Sequence, residues 1–368
     1  MSISLLDSES SALVAMSGGV DSSAAAYLML SRGVRCAGVT MRLYRNPDIG
    51  LGQFHPCCSQ RDIDDAAEVA FHLDISHEVL DFVEDFREQV MARFIRTYEA
   101  GGTPNPCIDC NRYMKFDKLL RHAEAHGFGC IVTGHYARIE YDAAVGRYLL
   151  KKAADAHKDQ SYVLYALTQY QLARTRFPLG TMQKEEIRAL AGKIGLCNAR
   201  KHDSQDICFV PDGDYAGFME HARGRRYPEG DFLNAGGEII GRHRGAVRYT
   251  LGQRRGLGIS LGQPAYVVGK DMARNTVSLG PEASLYSRVL LAEDVNWISV
   301  SRLDGPLRCR AKTRYRQLEQ PATVYPEGEG RIRVEFDAPQ RAMTVGQAVV
   351  LYDGETVVGG GTIAEVPR

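Results

Sequence analysis

The sequence lacks long apolar runs, a basic leader and a net charge. No apolar stretch reaches the ~18 residues that a membrane-spanning helix needs. The first nine residues contain two acids and no base, so we expect no signal peptide. These absences predict a cytoplasmic protein without membrane attachment. The 45 basic and 45 acidic residues balance, so a polyanionic partner would have to be bound by local basic patches rather than by an overall field.

A disulfide framework and internal repeats are absent as well. The nine cysteines are unevenly spaced along 368 residues, which favours a reducing compartment over a secreted, disulfide-rich scaffold. The chain is longer than the ~250–300 residues at which a single hydrophobic core stops growing. We therefore expect two or three domains.

Residues 12–23 contain the most informative local pattern. The apolar run 12–16 predicts a buried strand, Ser17-Gly18-Gly19 permits a sharp turn, and Asp21 begins a helix that ends near Gly33. Such a turn directs amide N–H groups and the positive end of the helix dipole at one point, which suits a phosphate. The pattern is neither a Walker A loop nor Gly-x-Gly-x-x-Gly. The alternative is an ordinary strand-to-helix turn.

Strands and helices alternate through the first half of the sequence. We predict further strands at 35–43, 76–82 and 130–133, and helices at 60–73, 83–98 and 111–126. This alternation predicts a parallel, doubly wound α/β sheet that binds its ligands at the carboxyl ends of the strands, where Met41 and Gly134-His135 lie.

The pattern changes near residue 211. Strong helical signals fade there, and from about residue 285 short alternating strands are separated by turn residues. We predict three domains: an α/β domain at 1–210, a small central domain at 211–284 and a β-barrel at 285–368.

Two cysteine-containing stretches could carry chemistry. In the first, prolines and glycines fix a loop that ends at Cys107-x-x-Cys110, just before the predicted helix at 111–126. A thiol near a helix N-terminus has a stabilised thiolate. The pair could be a redox couple, half a zinc site, two ligands of an iron–sulfur cluster or two inert thiols. In the second stretch Cys208 borders a short apolar run, a setting more typical of a buried cysteine than of a nucleophile.

Two basic segments predict a phosphate-binding surface. Between residues 239 and 270 there are six bases and no acid, and in the predicted strand 308–316 every second residue is basic. One face of that strand would then present five positive charges. A merely solvated surface usually mixes charges of both signs, so we favour contact with a nucleic-acid backbone, with Tyr315 packing or stacking nearby.

A set of ordered motifs covers nearly the whole chain. In one-letter code they are AMSGGVDS (15–22), CCS (57–59), TPNP (103–106) with CN (110–111), TGHYAR (133–138), KDQSY (158–162), FPLG (177–180), DSQDICF (203–209), YTLGQR (249–254) and RYRQ (314–317). The first resembles the pyrophosphate loop of ATP pyrophosphatases. Together the motifs resemble those of the tRNA-specific 2-thiouridylase family, whose members replace the C2 oxygen of the wobble uridine of certain tRNAs by sulfur.

The resemblance implies an adenine nucleotide alpha hydrolase-like first domain, a central domain that contacts tRNA, and roles for individual residues. ATP, with Mg²⁺, would be bound by Ala15, Met16, Ser17, Gly18, Gly19, Val20, Asp21, Ser22, Met41 and Gly134. The target base would be held by Asn105, Pro106 and Cys107, and tRNA by His135, Lys158, Asp159, Gln160, Arg314, Tyr315 and Gln347. Cys208 would carry sulfur as a persulfide, which Cys110 would resolve as a disulfide.

The implied chemistry is physically coherent. Oxygen is a poor leaving group from the C2 carbonyl of uracil, and adenylation turns it into AMP. A cysteine persulfide is then a better nucleophile than water, and the base has to leave its stack to reach a protein pocket. The resemblance also implies two partners, tRNA and a sulfur-donor protein, either a cysteine desulfurase or a sulfur relay protein.

One position departs from the family pattern. Many members have Asn-Pro-Asp where this chain has Asn-Pro-Cys107, so a carboxylate proposed for acid–base work is missing. Three thiols, Cys107, Cys110 and Cys208, could instead hold a [4Fe–4S] cluster with one iron open to hydrosulfide. This second sulfur carrier is the alternative to the persulfide. Other function classes are a pyrophosphate-loop ligase acting on a small molecule and a tRNA-binding module without catalysis.

Overall fold

The computed structural model describes residues 11–51, 58–201, 207–260 and 262–367. The chain divides into two compact units. The first unit comprises Met1–Val90, Cys107–Phe209 and Glu355–Val358, and the second unit comprises Met91–Pro106, Val210–Gly354 and Gly359–Arg368. No helix in the described part of the chain is both long enough and apolar enough to cross a membrane.

The strands are short in the first half of the chain and longer near its end. In order they are β1 Ser11–Ala15, β2 Arg35–Arg42, β3 His77–Asp81, β4 Cys130–Val132, β5 Arg138–Asp142, β6 Arg147–Lys151, β7 Thr175–Arg176, β8 Gly230–Leu233, β9 Ile239–His243, β10 Tyr266–Asp271, β11 Thr276–Gly280, β12 Tyr286–Trp297, β13 Leu307–Lys312, β14 Gln320–Pro326, β15 Ile332–Arg341, β16 Ala348–Asp353 and β17 Thr356–Glu365.

The α-helices lie mainly before residue 225. They are α1 Val20–Ser31, α2 Cys58–His72, α3 Val83–Phe86, α4 Ala92–Glu99, α5 Pro106–Asp109, α6 Leu119–Ala125, α7 Ser161–Leu164, α8 Gln169–Ala173, α9 Lys184–Lys193 and α10 Tyr215–Arg223. Two π-helical segments, Arg87–Met91 and Cys110–Lys118, join α3 to α4 and α5 to α6. Short 3₁₀ turns lie at Asn46–Ile49, Ala246–Arg248 and Glu282–Leu285.

A five-stranded parallel sheet organises the first unit. Its order is β3-β2-β1-β4-β7, and all of its pairings are parallel. The chain leaves β1 toward β2 and later returns to the other side of β1 as β4, so the order reverses between these strands. Ligands of such sheets bind at the carboxyl ends of the strands at this point. The predicted parallel α/β sheet is confirmed, and β7 is a strand that the sequence pattern did not reveal.

Both faces of this sheet are covered. Ala12 and Val14 of β1 pack in one core with Ala25 of α1, Ala66 of α2 and Ile187 of α9. Leu13 points to the opposite face because side chains alternate along a strand, and it too is fully buried. After β4 the chain forms an antiparallel hairpin of β5 and β6.

Two β structures make up most of the second unit. One is a four-stranded sheet in the order β10-β11-β8-β9, whose central pair is parallel. The other is a closed barrel of six strands, β12-β15-β14-β13-β16-β17, in which β17 pairs again with β12. The predicted C-terminal β-barrel after a small central domain is therefore confirmed.

Three local predictions are wrong. The helix expected at 111–126 begins instead at Pro106, because proline at the first helical position has the required φ and needs no N–H partner. The region after residue 211 contains a helix, α10, which Asp214 caps by accepting from the Gly217 amide. The basic strand expected at 308–316 ends at Lys312, so Arg314 and Arg316 lie in a turn and the face with five charges does not form.

Candidate functional site

The N-terminus of α1, directly after the loop from β1, leaves backbone amides available to a ligand. Gly18 has φ of 68°, a left-handed conformation that glycine adopts without strain. Helix α1 has no side-chain cap, and the first amide to bond backward is that of Ser23, to the Gly19 carbonyl at 3.3 Å. The amides of Val20 to Ser22 precede that bond, so they point out of the helix end toward whatever binds there. This geometry fits a phosphate group.

The loop meets the carboxyl end of β4 at very close range. A Cβ atom added to Gly134 would lie 2.7 Å from both the carbonyl carbon of Asp21 and the amide nitrogen of Ser22. Only glycine fits there, since real Cβ atoms do not approach backbone so closely. Gly134 thereby brings the end of β4 against the N-terminus of α1, and Met41 lies near the end of β2. The predicted ATP-binding residues thus converge on one edge of the sheet, although the side chain of Met16 is buried in the core.

Asp21 lies at the centre of a polar network that the sequence did not reveal. Its two carboxylate oxygens accept from the Lys184 ammonium at 2.7 and 2.8 Å, and one also accepts from the Tyr136 hydroxyl at 2.8 Å. Lys184 is buried, and its backbone amide donates to Asp155 at 3.0 Å. The network therefore fixes a positive charge, held by a carboxylate, beside the amides at the N-terminus of α1.

Asn198 and Lys201 hold the loop between β1 and α1 through its Gly18 carbonyl. The Gly18 carbonyl accepts from the Asn198 amide and from the Lys201 ammonium, both at 3.1 Å. Asn198 also donates to the Ser23 hydroxyl at 2.8 Å, and Lys201 pairs with Asp62 at 2.6 Å. Neither residue was predicted. The only local signal was that Lys201 opens the polar stretch that ends at Cys208.

The three candidate thiols lie in one electrostatic neighbourhood of the first unit. Cys107 is the second residue of α5, Cys110 opens the π-helical segment, and Cys208 precedes the buried Phe209. Surrounding protein raises the pKa of the Cys110 thiol to about 11 and that of Cys208 to about 12, and the neighbouring thiols contribute to both shifts. Burial raises the pKa of Cys107 too. The expected stabilisation of the thiolates by a helix terminus is therefore wrong for the resting protein, because desolvation outweighs it.

Lys115 is the cation shared by these groups. Its positive charge opposes the rise in pKa of all three thiols and adds to the lowering of the His135 pKa, whose main cause is burial. His135 follows Gly134 at the end of β4, so Lys115 connects the thiols with the nucleotide edge of the sheet. His135 itself is buried between Phe116 and Phe177, with ring centroids at 5.8 and 5.7 Å. His135 was predicted to contact tRNA, and in the structure it is 7% exposed.

The thiols do not form a metal-binding group as they are placed. Within the four described ranges, no cluster of three or more His, Cys, Asp or Glu side chains is arranged to hold a metal ion, and the described cysteines are all free thiols. Cys107, Cys110 and Cys208 therefore do not fit a [4Fe–4S] cluster in this arrangement. Cys57 and residues 202–206 of the predicted motifs lie outside the described residues.

The loop before α5 is held by the turn between β15 and β16 of the second unit. The Gln347 side chain donates to the carbonyls of Thr103 and Pro104 at 3.0 and 3.2 Å. The Thr103 amide donates to the Val345 carbonyl at 2.8 Å. Gln347 was predicted to contact tRNA. In the structure its amide nitrogen fixes the loop that leads to Asn105.

Comparison with known proteins identifies the relatives of this chain. Residues 10–212 match the family model described as the tRNA methyl transferase HUP domain. Residues 216–281 match its PRC-barrel domain, and residues 287–363 match the aminomethyltransferase beta-barrel domain. A protein of Symbiobacterium thermophilum named tRNA-specific 2-thiouridylase MnmA is 49% identical over 355 residues, which cover 95% of this chain and 91% of that protein. The chain belongs to the tRNA-specific 2-thiouridylase family.

Further relatives carry the same name. The 2-thiouridylase of Acetivibrio thermocellus is 48% identical over 357 residues, covering 97% of this chain and 99% of that protein. Among solved structures, a 4-thiouridine synthetase–RNA complex with bound ATP has a TM-score of 0.38 at 20% identity, covering 55% of this chain and 45% of that one. Likeness at that level does not bear on the activity of this chain.

The other residues that were predicted to contact tRNA differ in their exposure and in their hydrogen bonds. Asp159 accepts from the backbone amides of Ala153 and Ser161 at 3.0 and 3.2 Å, and Gln160 accepts from the Tyr136 amide at 2.9 Å. Both side chains thus fix the local backbone next to the partly exposed Lys158. In the second unit, Arg314 donates to the Ala342 carbonyl at 2.6 Å, whereas Tyr315 is exposed.

The basic surface of this 2-thiouridylase is smaller than predicted. Lys270 is buried with no hydrogen-bond partner among the described residues, and desolvation lowers its pKa to about 8. Arg242 pairs with Asp231 at 3.0 Å and Arg248 with Glu220 at 2.9 Å, because acids from neighbouring elements meet bases that the linear sequence shows as unopposed. Arg242 is itself exposed, as are Arg244, Arg254 and Arg255.

Replacing Gln347 with alanine is expected to lower kcat for tRNA thiolation about 5- to 10-fold and to leave KM for tRNA within about twofold. The two lost hydrogen bonds, each worth ~0.5–1.5 kcal/mol, hold the loop before α5 rather than the substrate. Steady-state kinetics with purified tRNA measures both constants. Gln320→Ala, which removes an exposed bond to the Leu318 carbonyl in the same barrel, is the matched control. A raised KM with unchanged kcat would show a direct tRNA contact instead.

Alkylation of Cys110 by iodoacetamide is expected to accelerate about tenfold per pH unit from pH 7 to 9. With a thiol pKa of about 11, the thiolate fraction keeps rising throughout this pH range. The thiolate fraction of an ordinary thiol, with a pKa of ~8.5, would instead begin to level off within this range. Lys115→Met should slow the reaction at each pH, since the lost charge favours the thiolate. Lys118→Met, which removes a lysine paired with Asp85 at 2.6 Å, should not. Peptide-resolved mass spectrometry gives the rates, and a midpoint at or below pH 8.5 would contradict the placement of Cys110.

Proposed function

We propose that this chain is an ATP-dependent tRNA uridine 2-sulfurtransferase. The proposal is carried by one observation: the open amides at the N-terminus of α1 and the three thiols around Lys115 belong to the same unit, and His135 links them at the end of β4. The names of its relatives, tRNA-specific 2-thiouridylases at 46–49% identity, support the substrate and the reaction. We also propose that the boundaries between the three domains lie near residues 211 and 285.

ATP activates the uridine. The amides of Val20 to Ser22 would hold the phosphates, and Lys184 would add a positive charge that Asp21 keeps in place. The C2 oxygen of the wobble uridine attacks the α-phosphorus and pyrophosphate leaves, so the oxygen becomes part of an AMP leaving group. Mg²⁺, which favours phosphate oxygens and water as ligands, would accompany the nucleotide.

Sulfur then moves in two displacements. The terminal sulfur of a Cys208 persulfide attacks C2 and AMP leaves with the oxygen, which gives a C2–S–S–Cys208 adduct. The Cys110 thiolate attacks Sγ of Cys208, the S–S bond to the base breaks with its electron pair on the base sulfur, and 2-thiouridine is released. The resulting Cys110–Cys208 disulfide is reduced by two electrons from an external thiol, and a persulfide-bearing protein reloads Cys208. Lys115 would lower the energy of the anionic sulfur species.

Pyrophosphate release separates the candidate functions. A 2-thiouridylase releases pyrophosphate only with tRNA present and yields 2-thiouridine on nucleoside analysis. A ligase for a small molecule would release it without tRNA once its acceptor is added, and a binding module would release none. Iron and acid-labile sulfide content of protein purified without oxygen tests the sulfur carrier. Active protein without iron supports the persulfide, whereas about four irons per chain that are lost in Cys107→Ala would replace it by a cluster.

A further inference from the structure

The backbone of Cys208 is held by a tyrosine that no sequence motif indicated. The Tyr44 hydroxyl donates to the Cys208 carbonyl at 2.7 Å, across 164 positions of the chain. The contact uses only a main-chain atom of Cys208, and its sulfur forms no disulfide. Tyr44 can therefore orient this residue without occupying the sulfur.

Tyr44 is itself well fixed. It lies just after β2, and the following residue, Arg45, pairs with Asp81 at the end of β3 at 3.0 Å. The Arg45 amide donates to Asp48 at 2.8 Å, and Asp48 in turn pairs with Arg87 at 2.9 Å. The turn that contains Tyr44 is thus tied to its surroundings on several sides. A hydroxyl on such a turn is preorganised, so little conformational entropy is lost when it donates a hydrogen bond.

Aromatic packing fixes the residue after Cys208 as well. The Tyr44 ring lies 6.1 Å from that of Phe86 between centroids, and Phe86 meets Phe209 edge to face at 5.6 Å. Phe209 is 1% exposed, so it anchors this end of the stretch in the core. The Tyr44 hydroxyl supplies the remaining constraint, because a ring contact fixes position but leaves the peptide plane of Cys208 able to rotate.

The same contact reaches the nucleotide edge of the sheet. Tyr44 is three residues after Met41, the predicted nucleotide neighbour at the end of β2. Lys201, seven positions before Cys208, is bound to the Gly18 carbonyl of the nucleotide loop. Lys201, before the sulfur carrier, and Cys208 itself are therefore both attached to elements that would meet the expected ATP.

We propose that the Tyr44 hydroxyl is a positioning group for Cys208, which sets the direction in which the carrier sulfur meets the activated base. The role rests on the proposed function. A displacement at C2 requires the sulfur and carbon to be aligned within a few tenths of an ångström, and small misplacements cost substantial rate. Loss of the hydroxyl would let the Cys208 peptide turn, which slows sulfur transfer and leaves adenylation, performed at α1, unaffected.

Tyr44→Phe tests this directly, since it removes the hydroxyl and keeps the ring. Two single-turnover rates are measured at 25 °C with tRNA and ATP: pyrophosphate release without a sulfur source, and formation of 2-thiouridine by protein preloaded with persulfide on Cys208. We expect pyrophosphate release within about twofold of the parent and thiouridine formation slowed about 3- to 10-fold. Tyr170→Phe, which removes a tyrosine hydroxyl that donates to Glu124 elsewhere in the same unit, is the control and should change neither rate.

The outcomes separate the two levels of the proposal. If Tyr44→Phe forms thiouridine at the parental rate, or if both of its rates fall equally, the positioning role is overturned while the proposed function stands. If the parent forms no thiouridine, the proposed function itself fails. Tyr44→Leu, which removes ring and hydroxyl together, should slow transfer further than Tyr44→Phe, and a transfer rate equal to that of the parent would also overturn the role.

Discussion

Replacing Cys208 with serine abolishes 2-thiouridine formation, with an expected loss of at least about 1,000-fold. A serine oxygen cannot form a persulfide, so no nucleophilic sulfur reaches the adenylated base. Tyr44 holds Cys208 through its backbone carbonyl, which serine retains, and the fold should be unchanged. Tryptic mass spectrometry of the reloaded protein and nucleoside analysis of the tRNA give the two readouts.

The control for this prediction is a second exposed cysteine. Cys197→Ser removes a thiol that donates to the Asp65 carbonyl at 4.0 Å, and it should thiolate tRNA at the parental rate. Cys208→Ser should still release pyrophosphate when tRNA is added, because the nucleotide loop does not contain Cys208. Thiouridine formed by Cys208→Ser would mean that sulfur reaches the base without this residue.

Replacing Lys184 with methionine has the second largest expected effect. Methionine matches the length of the lysine side chain but leaves the Asp21 carboxylate with a hydroxyl as its partner and no cation. Lys184 is nearly fully buried and Asp21 is partly exposed, so we expect unfolding to become easier by about 2–3 kcal/mol, below the cost of breaking a fully buried pair. Pyrophosphate release should fall about 100-fold as the fixed charge near the phosphates is lost.

Two further variants distinguish stability from chemistry at this position. Asp21→Asn combined with Lys184→Met removes both charges, so chemical denaturation should show recovered stability while pyrophosphate release stays low. Lys193→Met, an exposed lysine in the last turn of the same helix, should alter neither. Full activity of Lys184→Met would mean that this ammonium only stabilises the fold.

Local chemistry explains which parts of the fold the sequence predicts. The loop at Ser17 to Gly19 is predictable because a buried strand, a glycine turn and a helix start are encoded by neighbouring residues. The alternation of strands and helices likewise gives the parallel sheet, and period-two patterns give the barrel. Helix α10 was missed because its helical signal is local to a short segment within a Gly- and Pro-rich stretch.

Long-range contacts explain most of what the sequence could not predict at the site. Lys184 lies 163 positions from Asp21, and nothing in either neighbourhood indicates that they meet. The raised pKa values of Cys110 and Cys208 follow from burial, which depends on the whole packed unit. Gln347 was named from the family resemblance alone, and its hydrogen-bond partners, the Thr103 and Pro104 carbonyls, belong to a loop 244 and 243 positions earlier.

A single turnover of protein loaded with persulfide on Cys208 tests the central claim most directly. Iron-free protein is mixed with ATP and tRNA without further sulfur or reductant, and the products are counted by mass spectrometry. We expect equal amounts of AMP, pyrophosphate, 2-thiouridine and a Cys110–Cys208 disulfide, each close to the amount of persulfide loaded. AMP without thiouridine, or thiouridine without the disulfide, would contradict the transfer of sulfur from Cys208 with resolution by Cys110.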